Sequence, residues 1–303
     1  MHRRSRRPLR LPAALAALLA ALALLVGCEE RRQDAPAADR PAATLVATAG
    51  YGARELLSTR VEPDQSVMRA TRGATDVRTA YAGAYIRSML GLESDQAGTR
   101  DWFFSVNGLV AAVGAKDVTL HDGDVAWWDH RDWGDLQQAP AMVGTWPAPW
   151  ALPGGRGPQV SADPPLDATL REAGARLVEG GDPSFRVRVG ASDDIARRDP
   201  VWREALADPD RAGLTVTIAD GAVLALGPDG PRTPVPGARA LIAAVPTGPV
   251  PADGALLVVA GLDADAARAA AEALARDPAM VRLTYAVALD GEGNVLRAGG
   301  RAP

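Results

Sequence analysis

The chain has 303 residues, of which 47% are hydrophobic and 23% charged, and this balance excludes a disordered, collagen-like or coiled-coil protein. The single cysteine excludes a disulfide scaffold, a CxxC redox site and a cysteine-based zinc site. Residues 28–303 carry 28 basic and 37 acidic side chains, a formal charge of −9. Nucleic acid is therefore not expected as a partner, because phosphates require a basic surface.

Residues 1–27 have the pattern of a secretory signal peptide. Five arginines lie within Met1–Arg10, and an uninterrupted apolar run of 16 residues follows over Leu11–Val26. As a helix this run would span about 24 Å, less than the hydrocarbon core of about 30 Å, which disfavours a permanent transmembrane helix. The segment Ser5–Leu9 is similar to a twin-arginine signal, so both the Sec and the Tat export routes stay open.

The apolar run ends in Leu25-Val26-Gly27-Cys28, which resembles the lipobox of bacterial lipoproteins. In that family the signal is cut before the cysteine, and the sulfur receives a diacylglycerol. The resemblance implies that Cys28 is the lipidated first residue and that the protein is anchored on the extracytoplasmic face of the cell membrane. Residues 28–43 are charged and rich in proline and alanine, which is typical of a flexible tether. The alternative is an incidental cysteine in an ordinary signal peptide.

The next segment, residues 44–139, has mainly strand patterns. Asn107-Gly108 between two apolar runs is the strongest hairpin signal, and Asp122-Gly123 marks a second tight turn. Strands are predicted over 44–49, 55–61, 85–90, 102–106, 109–113, 118–120 and 125–129, with a short helix within 66–79.

Residues 140–165 contain seven prolines and the run Gly154-Gly155-Arg156-Gly157, which predicts a linker between two domains. In residues 166–303, strand and helix patterns alternate. Helices are predicted within 166–178, 199–206, 238–245 and 263–276, and strands over 185–189, 214–218, 222–226, 256–260 and 281–289. The predicted fold class is α+β, with a small β-rich domain followed by an α/β domain that has a mixed sheet.

Four motifs in the first domain carry a family resemblance. They are Ala84–Leu92, Asp101–Gly108, Val113–Ala115 and Leu120–Trp127. Their order and spacing resemble the transcobalamin C-terminal-like domain, a β-grasp-like module of bacterial surface lipoproteins and animal cobalamin carriers. The resemblance covers residues 44–129.

This resemblance implies ligand binding outside the cell, without catalysis, and a corrinoid such as cobalamin is one candidate ligand. In the carriers a helical barrel holds the other face of the corrinoid, and nothing in this chain has that length or helical repeat. Carried over by position, the residues that would contact the ligand are Tyr85, Trp102, Phe104, Val113 and Gly114.

Strand alternation places Trp102 and Phe104 on one face and Phe103 on the other, and it separates Trp127 from Trp128 in the same way. One face can fill the core of the domain, so the other needs a separate cover. Trp146 and Trp150 of the linker could fold back over it, or a ligand or partner could stack on it.

The polar residues predict no metal site and no enzyme. His121 and His130 lie among many aspartates, but their spacing matches no metal-ligand frame. The catalytic motifs GxSxG, GxGxxG, GxxxxGK[ST] and HExxH are absent, and Asp193, Asp194 and Asp199 are expected in a solvated loop. The sequence therefore predicts a lipid-anchored binding protein that presents an aromatic face to a ligand, or an envelope adaptor that binds other proteins.

Overall fold

The computed structural model describes residues 40–303 except 84, 96, 135, 137–138, 141, 180–181, 228–229, 249–252 and 299–303. The predicted signal peptide, Cys28 and nearly all of the predicted tether lie outside the described residues. Within the described part of the chain, no helix combines the length and the apolar character needed to cross a membrane.

The N-terminal half forms a five-stranded sheet with the strand order β2-β1-β8-β6-β7 and a separate three-stranded sheet, β3-β4-β5. Strands β1 and β8 are parallel, and the other neighbours are antiparallel. The elements are β1 (Ala43–Ala49), β2 (Arg54–Val61), α1 (Val67–Ala74), β3 (Val77–Ala80), β4 (Tyr85–Met89), β5 (Leu92–Glu93), β6 (Arg100–Val106), β7 (Leu109–Val110) and β8 (Val125–Asp132), with a 3-10 turn at Tyr81–Gly83.

Helix α1 packs against one face of the five-stranded sheet and closes the first core. Ser66 caps the helix by accepting a hydrogen bond from the amide of Arg69 at 3.2 Å, as expected of an N-cap serine. Within the helix, the hydroxyl of the buried Thr71 accepts a hydrogen bond from Nε1 of Trp128 at 2.9 Å. Helix and sheet are thus joined by a polar contact inside an apolar core.

The C-terminal half contains a seven-stranded mixed sheet with the order β10-β9-β11-β16-β15-β17-β18 and a small sheet, β12-β13-β14. Its strands are β9 (Gln159–Ala162), β10 (Arg176–Leu177), β11 (Phe185–Ala191), β12 (Val216–Ala219), β13 (Ala222–Leu226), β14 (Arg232–Pro234), β15 (Ala240–Pro246), β16 (Ala255–Gly261), β17 (Ala286–Leu289) and β18 (Val295–Ala298). Its helices are α2 (Leu166–Glu172), α3 (Ser192–Arg198), α4 (Pro200–Ala207) and α5 (Ala264–Arg276), with 3-10 turns at Val143–Thr145, Pro153–Gly155 and Pro278–Val281.

Two hydrophobic cores cover the two faces of the seven-stranded sheet. Helices α2 and α5 pack on one face, and α3, α4 and the small sheet pack on the other. The α+β class is confirmed. The helix predicted over 238–245 is wrong, because this segment is the central strand β15. Its even-numbered residues enter one core and its odd-numbered residues the other, so a strand buried on both faces lacks the alternation that identifies strands.

The proline-rich segment 140–165 is part of the core of the C-terminal half. Trp150 is fully buried, and its Nε1 donates to the carbonyls of Arg186 at 3.0 Å and Ala255 at 3.3 Å. Met142 and Val143 lie in the same core. Residues 41–303 accordingly form one compact unit. Independent folding of the two halves stays a prediction.

Candidate functional site

The two central strands of the N-terminal sheet separate their aromatic side chains as predicted. Trp102, Phe104 and Trp128 face α1, where the rings of Phe104 and Trp128 lie 5.0 Å apart. Phe103 and Trp127 lie on the opposite face, as the pairing of β6 with β8 requires. The alternation inferred from the sequence is therefore confirmed on both strands.

The C-terminal half covers the second aromatic face. The ring of Trp127 is 1% exposed and lies 5.1 Å from the ring of Tyr285. Gly144 approaches the same ring so closely that a Cβ there would lie 2.7 Å from it. The predicted linker therefore does contact this face, through Gly144. The expectation that Trp146 and Trp150 cover it is wrong, because both pack in the core of the C-terminal half.

The five positions implied by the family resemblance do not lie together. Trp102 is only 6% exposed, and its Nε1 donates to the carbonyl of Leu92 at 3.3 Å. Phe104 is half-buried. The hydroxyl of Tyr85 donates a hydrogen bond to Asp101 at the start of β6. Val113 and Gly114 instead follow β7, and β7 pairs with the end of β6. The role of these residues in binding stays a prediction.

An aromatic surface does exist at the start of β6, and it consists of Tyr81, Tyr85 and Trp133, which we call the aromatic patch. Tyr81 is 76% exposed, and its ring lies 6.2 Å from that of Tyr85. Trp133 is half-buried, whereas each of the other six tryptophans is buried. Tyr81 also has a φ of 51°, a conformation that bulky residues rarely adopt and that tends to occur at functional sites.

The carboxylate of Asp101 holds two of these rings in place. Its Oδ1 accepts a hydrogen bond from the hydroxyl of Tyr85, and its Oδ2 accepts one from Nε1 of Trp133 at 2.9 Å. Burial and this carboxylate raise the pKa of Tyr85, so the hydroxyl remains a donor. The backbone amide of Trp133 is fixed in turn by the carbonyl of Thr99 at 2.8 Å. The rings are thus oriented before any ligand arrives.

Sequence reasoning found only part of this patch. Trp133 belongs to the cluster of tryptophans that the sequence makes conspicuous, and Tyr85 follows from the family resemblance. Tyr81 and Asp101 were missed as site residues, because Tyr81 lies in a short 3-10 turn without periodicity. Asp101 gives a detectable signal, since it is an acidic residue that directly precedes an aromatic strand.

The histidine and aspartate residues of this half have structural partners. His121 is exposed and lies 3.8 Å from Asp64. Asp124 is buried and accepts hydrogen bonds from Asn107 at 2.9 Å and Arg156 at 3.0 Å. Among the residues that the structure describes, no three histidine, cysteine or acidic side chains are placed to hold a metal ion.

His130 is buried against the ring of Trp102, and its Nε2 lies 3.0 Å from the carbonyl oxygen of Glu93. Burial lowers its pKa. The unfolded chain takes up a proton below about pH 6.5 whereas the folded protein resists it, so the free energy of unfolding falls as the pH drops through this range.

Urea denaturation between pH 7.5 and 5 is expected to show this decline in the free energy of unfolding, and His130→Phe should make the decline smaller. The exposed His121→Gln is the control, and an equal pH dependence in wild type and His130→Phe would contradict this account.

A cleft of about 540 Å³ lies in the C-terminal half between the end of α4 and the end of β15. Its charged side chains include Glu204, Asp208 and Arg211. Nε of Arg211 lies 3.6 Å from Oδ2 of Asp208, and both side chains are exposed, so they form an ordinary solvated ion pair. None of the described polar side chains that line this cleft is buried, whereas an active site typically has convergent buried polar groups.

Comparisons with known proteins give little further information. No curated protein matches this chain. The sequence profile of a domain of unknown function, DUF4430, matches residues 64–131. Among solved structures, a "putative metal binding protein" from Ruminococcus gnavus ATCC 29149 is 14% identical with a TM-score of 0.26, over 31% of this chain and 98% of that one.

Proposed function

We propose that this protein is a lipid-anchored extracytoplasmic binding protein whose aromatic patch stacks on a flat ligand. The observation that carries the proposal is the fixation of Tyr85 and Trp133 by one carboxylate beside the exposed ring of Tyr81. Exposed aromatic rings lose little conformational entropy on binding when they are already oriented, and they offer an apolar face to a conjugated ring system. The proposed role is binding, not catalysis.

A corrinoid is the first ligand to test, because the family resemblance implies it and a corrinoid is broad and flat. The proposal moves the contact from Trp102 and Phe104 to the aromatic patch. Tyr81→Ala and Trp133→Ala are each expected to weaken cobinamide binding about tenfold, since an aromatic contact contributes about 0.5–1.5 kcal/mol. Isothermal titration of the purified full-length protein in detergent measures this.

The control for these variants is Leu296→Ala, which truncates an apolar side chain that is 44% exposed in the other half. It should bind like the wild type. Cobalamin and flat aromatic cofactors belong in the same panel, because the patch alone does not distinguish them. Binding that survives unchanged in both patch variants would contradict the proposed site.

The membrane attachment rests on the sequence Leu25-Val26-Gly27-Cys28. Cys28→Ser should abolish the incorporation of labelled palmitate and move the protein from the detergent phase to the aqueous phase in phase partitioning. Replacing Gly27 by a bulky residue should slow cleavage of the signal, which leaves a larger precursor on a gel. Incorporation of label in Cys28→Ser would contradict lipidation at this residue.

A second function, an envelope adaptor that binds other proteins, is favoured by one observation in the C-terminal half. Val295 and Leu296 on strand β18, at the end of the seven-stranded sheet, are 41% and 44% exposed. Exposed apolar residues on an edge strand are typical of protein contacts. A photo-crosslinker at position 296 that gives a reproducible partner, together with no ligand binding at the aromatic patch, would support this function over the first.

A further inference from the structure

Strand β6 leaves part of its outer edge without a neighbour. In β8, even-numbered residues bond to β1, as in the bond from the amide of Gly50 to the carbonyl of His130 at 2.9 Å. Odd-numbered residues of β8 therefore bond to odd-numbered residues of β6. It follows that the even-numbered residues of β6 direct their amides and carbonyls toward the opposite edge.

Two of those even-numbered residues, Arg100 and Val106, already have backbone partners on that edge. The carbonyl of Arg100 accepts the amide of Asp95 at 2.8 Å, and Val106 pairs with Leu109 of β7. Strand β7 ends at Val110, so it does not reach further along β6. Within the described part of the chain, no hydrogen bond joins the outward amides and carbonyls of Trp102 and Phe104 to another group. Four backbone groups thus face outward between Asp95 and Val110.

A small cavity of about 30 Å³ lies beside this free edge, on the face of Phe103. Two of the residues that line it, Arg131 and Ser105, each have a buried polar side-chain atom without a partner, Nε and Oγ respectively. The cavity reaches Val110, which is 40% exposed. An unpaired buried donor is costly, so Nε of Arg131 indicates a missing acceptor, and the hydroxyl of Ser105 can donate to the same group.

The charge of Arg131 specifies that acceptor. Arg131 is 4% exposed, and its guanidinium lies 4.4 Å from the ring centre of Phe103 and donates from Nη1 to the carbonyl of Ala139 at 3.1 Å. No described carboxylate lies within 4 Å of it. The nearby Asp129 already accepts hydrogen bonds from the hydroxyl of Thr48 at 2.6 Å and the amide of Tyr51 at 3.0 Å. A carboxylate would pair with this cation better than a neutral group.

We infer that the free edge of β6 binds an extended segment of a partner protein, with one aspartate side chain directed to Arg131 and Ser105. The segment adds to the sheet by pairing with Trp102 and Phe104, which is the β-augmentation mode of peptide recognition. The segment's residue between these two pairs lies opposite Phe103, and neighbours across a sheet share a face. Its side chain therefore points into the cavity. Because the cavity measures only about 30 Å³, a short side chain is the kind that fits.

This site and the aromatic patch have no residue in common, so either proposal can fail alone. The probe is the fluorescein-labelled heptapeptide TVTDTVT, and the matched control is TVTNTVT. Fluorescence anisotropy with the full-length protein should show at least tenfold weaker binding of the asparagine peptide. Arg131→Met should remove the difference between the two peptides, whereas Arg100→Met, which changes an exposed arginine on β6, should keep it.

Residue-resolved hydrogen exchange gives a second readout that does not depend on the folding of Arg131→Met. With the aspartate peptide bound, exchange of the amides of Trp102 and Phe104 should slow at least tenfold, while that of Phe103, which bonds to β8, should not change. Equal affinity for the two peptides, protection without this alternation, or no binding of either peptide would each overturn the inference. The last result is also expected if the cavity only holds a water molecule.

Discussion

Trp127→Ala is expected to destabilise the protein by about 3–5 kcal/mol, the range for removal of a large buried aromatic side chain. Trp127 is buried between the N-terminal sheet and the C-terminal half, next to Tyr285. Its Nε1 also donates to the hydroxyl of Thr48 at 2.8 Å, and Thr48 in turn donates to Asp129 at 2.6 Å. The substitution thus leaves a cavity and also removes one bond of a buried polar chain.

Urea denaturation followed by circular dichroism measures this effect as a shift of the midpoint. The matched control is Trp133→Ala, because the same large residue is there only half-buried at the surface. Trp133→Ala should lower the free energy of unfolding by less than about 1 kcal/mol, in addition to the loss of its hydrogen bond to Asp101. Equal costs for the two variants would contradict the account in which the C-terminal half, and not a ligand, covers the second aromatic face.

Asp199→Ala is expected to destabilise the protein by about 3–5 kcal/mol, because it removes the buried partner of the buried Arg186 and leaves it only the exposed carboxylate of Asp182. Asp199 is 3% exposed and accepts two hydrogen bonds from Arg186, at 3.0 Å from Nε and 3.3 Å from Nη2. It also caps α4 by accepting the amide of Val201 at 3.1 Å. One substitution therefore removes both a charge pair and a helix cap.

The double variant Arg186→Leu, Asp199→Leu should recover most of the loss, because replacing both partners by apolar groups removes the uncompensated charge. Asp194→Ala is the control, since its pair with Arg197 is exposed and should contribute less than about 1 kcal/mol. Midpoints of chemical denaturation for the four proteins give the comparison. A cost for Asp199→Ala no larger than that for Asp194→Ala would show that the buried pair contributes little.

Local signals predicted local structure well. Asp199-Pro200 predicted the start of a helix, and α4 begins at Pro200 with Asp199 as its cap. The helix predicted at 263–276 is α5, where Asp263 accepts the amide of Ala266 at 2.8 Å. The hairpin at Asn107-Gly108 joins β6 to β7, although β7 ends at Val110 and not at Val113. In each case the chemistry of the turn or cap lies within a few residues of the sequence.

The predictions that were wrong or incomplete all depend on contacts between residues that are distant in the sequence. Asp199 was expected in a solvated loop but is buried, because its partner Arg186 lies on a strand 13 residues away. The cover of the second aromatic face includes Tyr285, more than 150 residues from Trp127. The hydrogen bond that orients Trp133 in the aromatic patch is accepted by Asp101, 32 residues away. No periodicity in one sequence specifies such pairs, so the candidate site required the structure.

The most direct test of the central claim is a titration of tryptophan fluorescence with cobinamide, with an inner-filter control because corrinoids absorb strongly. A corrinoid at the aromatic patch should quench Trp133 by contact and the buried tryptophans nearby by energy transfer, because corrinoid absorption overlaps tryptophan emission. The midpoint of the titration therefore reports the affinity, whichever tryptophan is quenched. The account predicts saturable quenching with a micromolar or tighter midpoint that weakens about tenfold in Trp133→Ala and is unchanged in Trp202→Phe, whose residue is fully buried in the other half. No saturable change, or an equal midpoint in Trp133→Ala, would contradict a corrinoid-binding role for the patch.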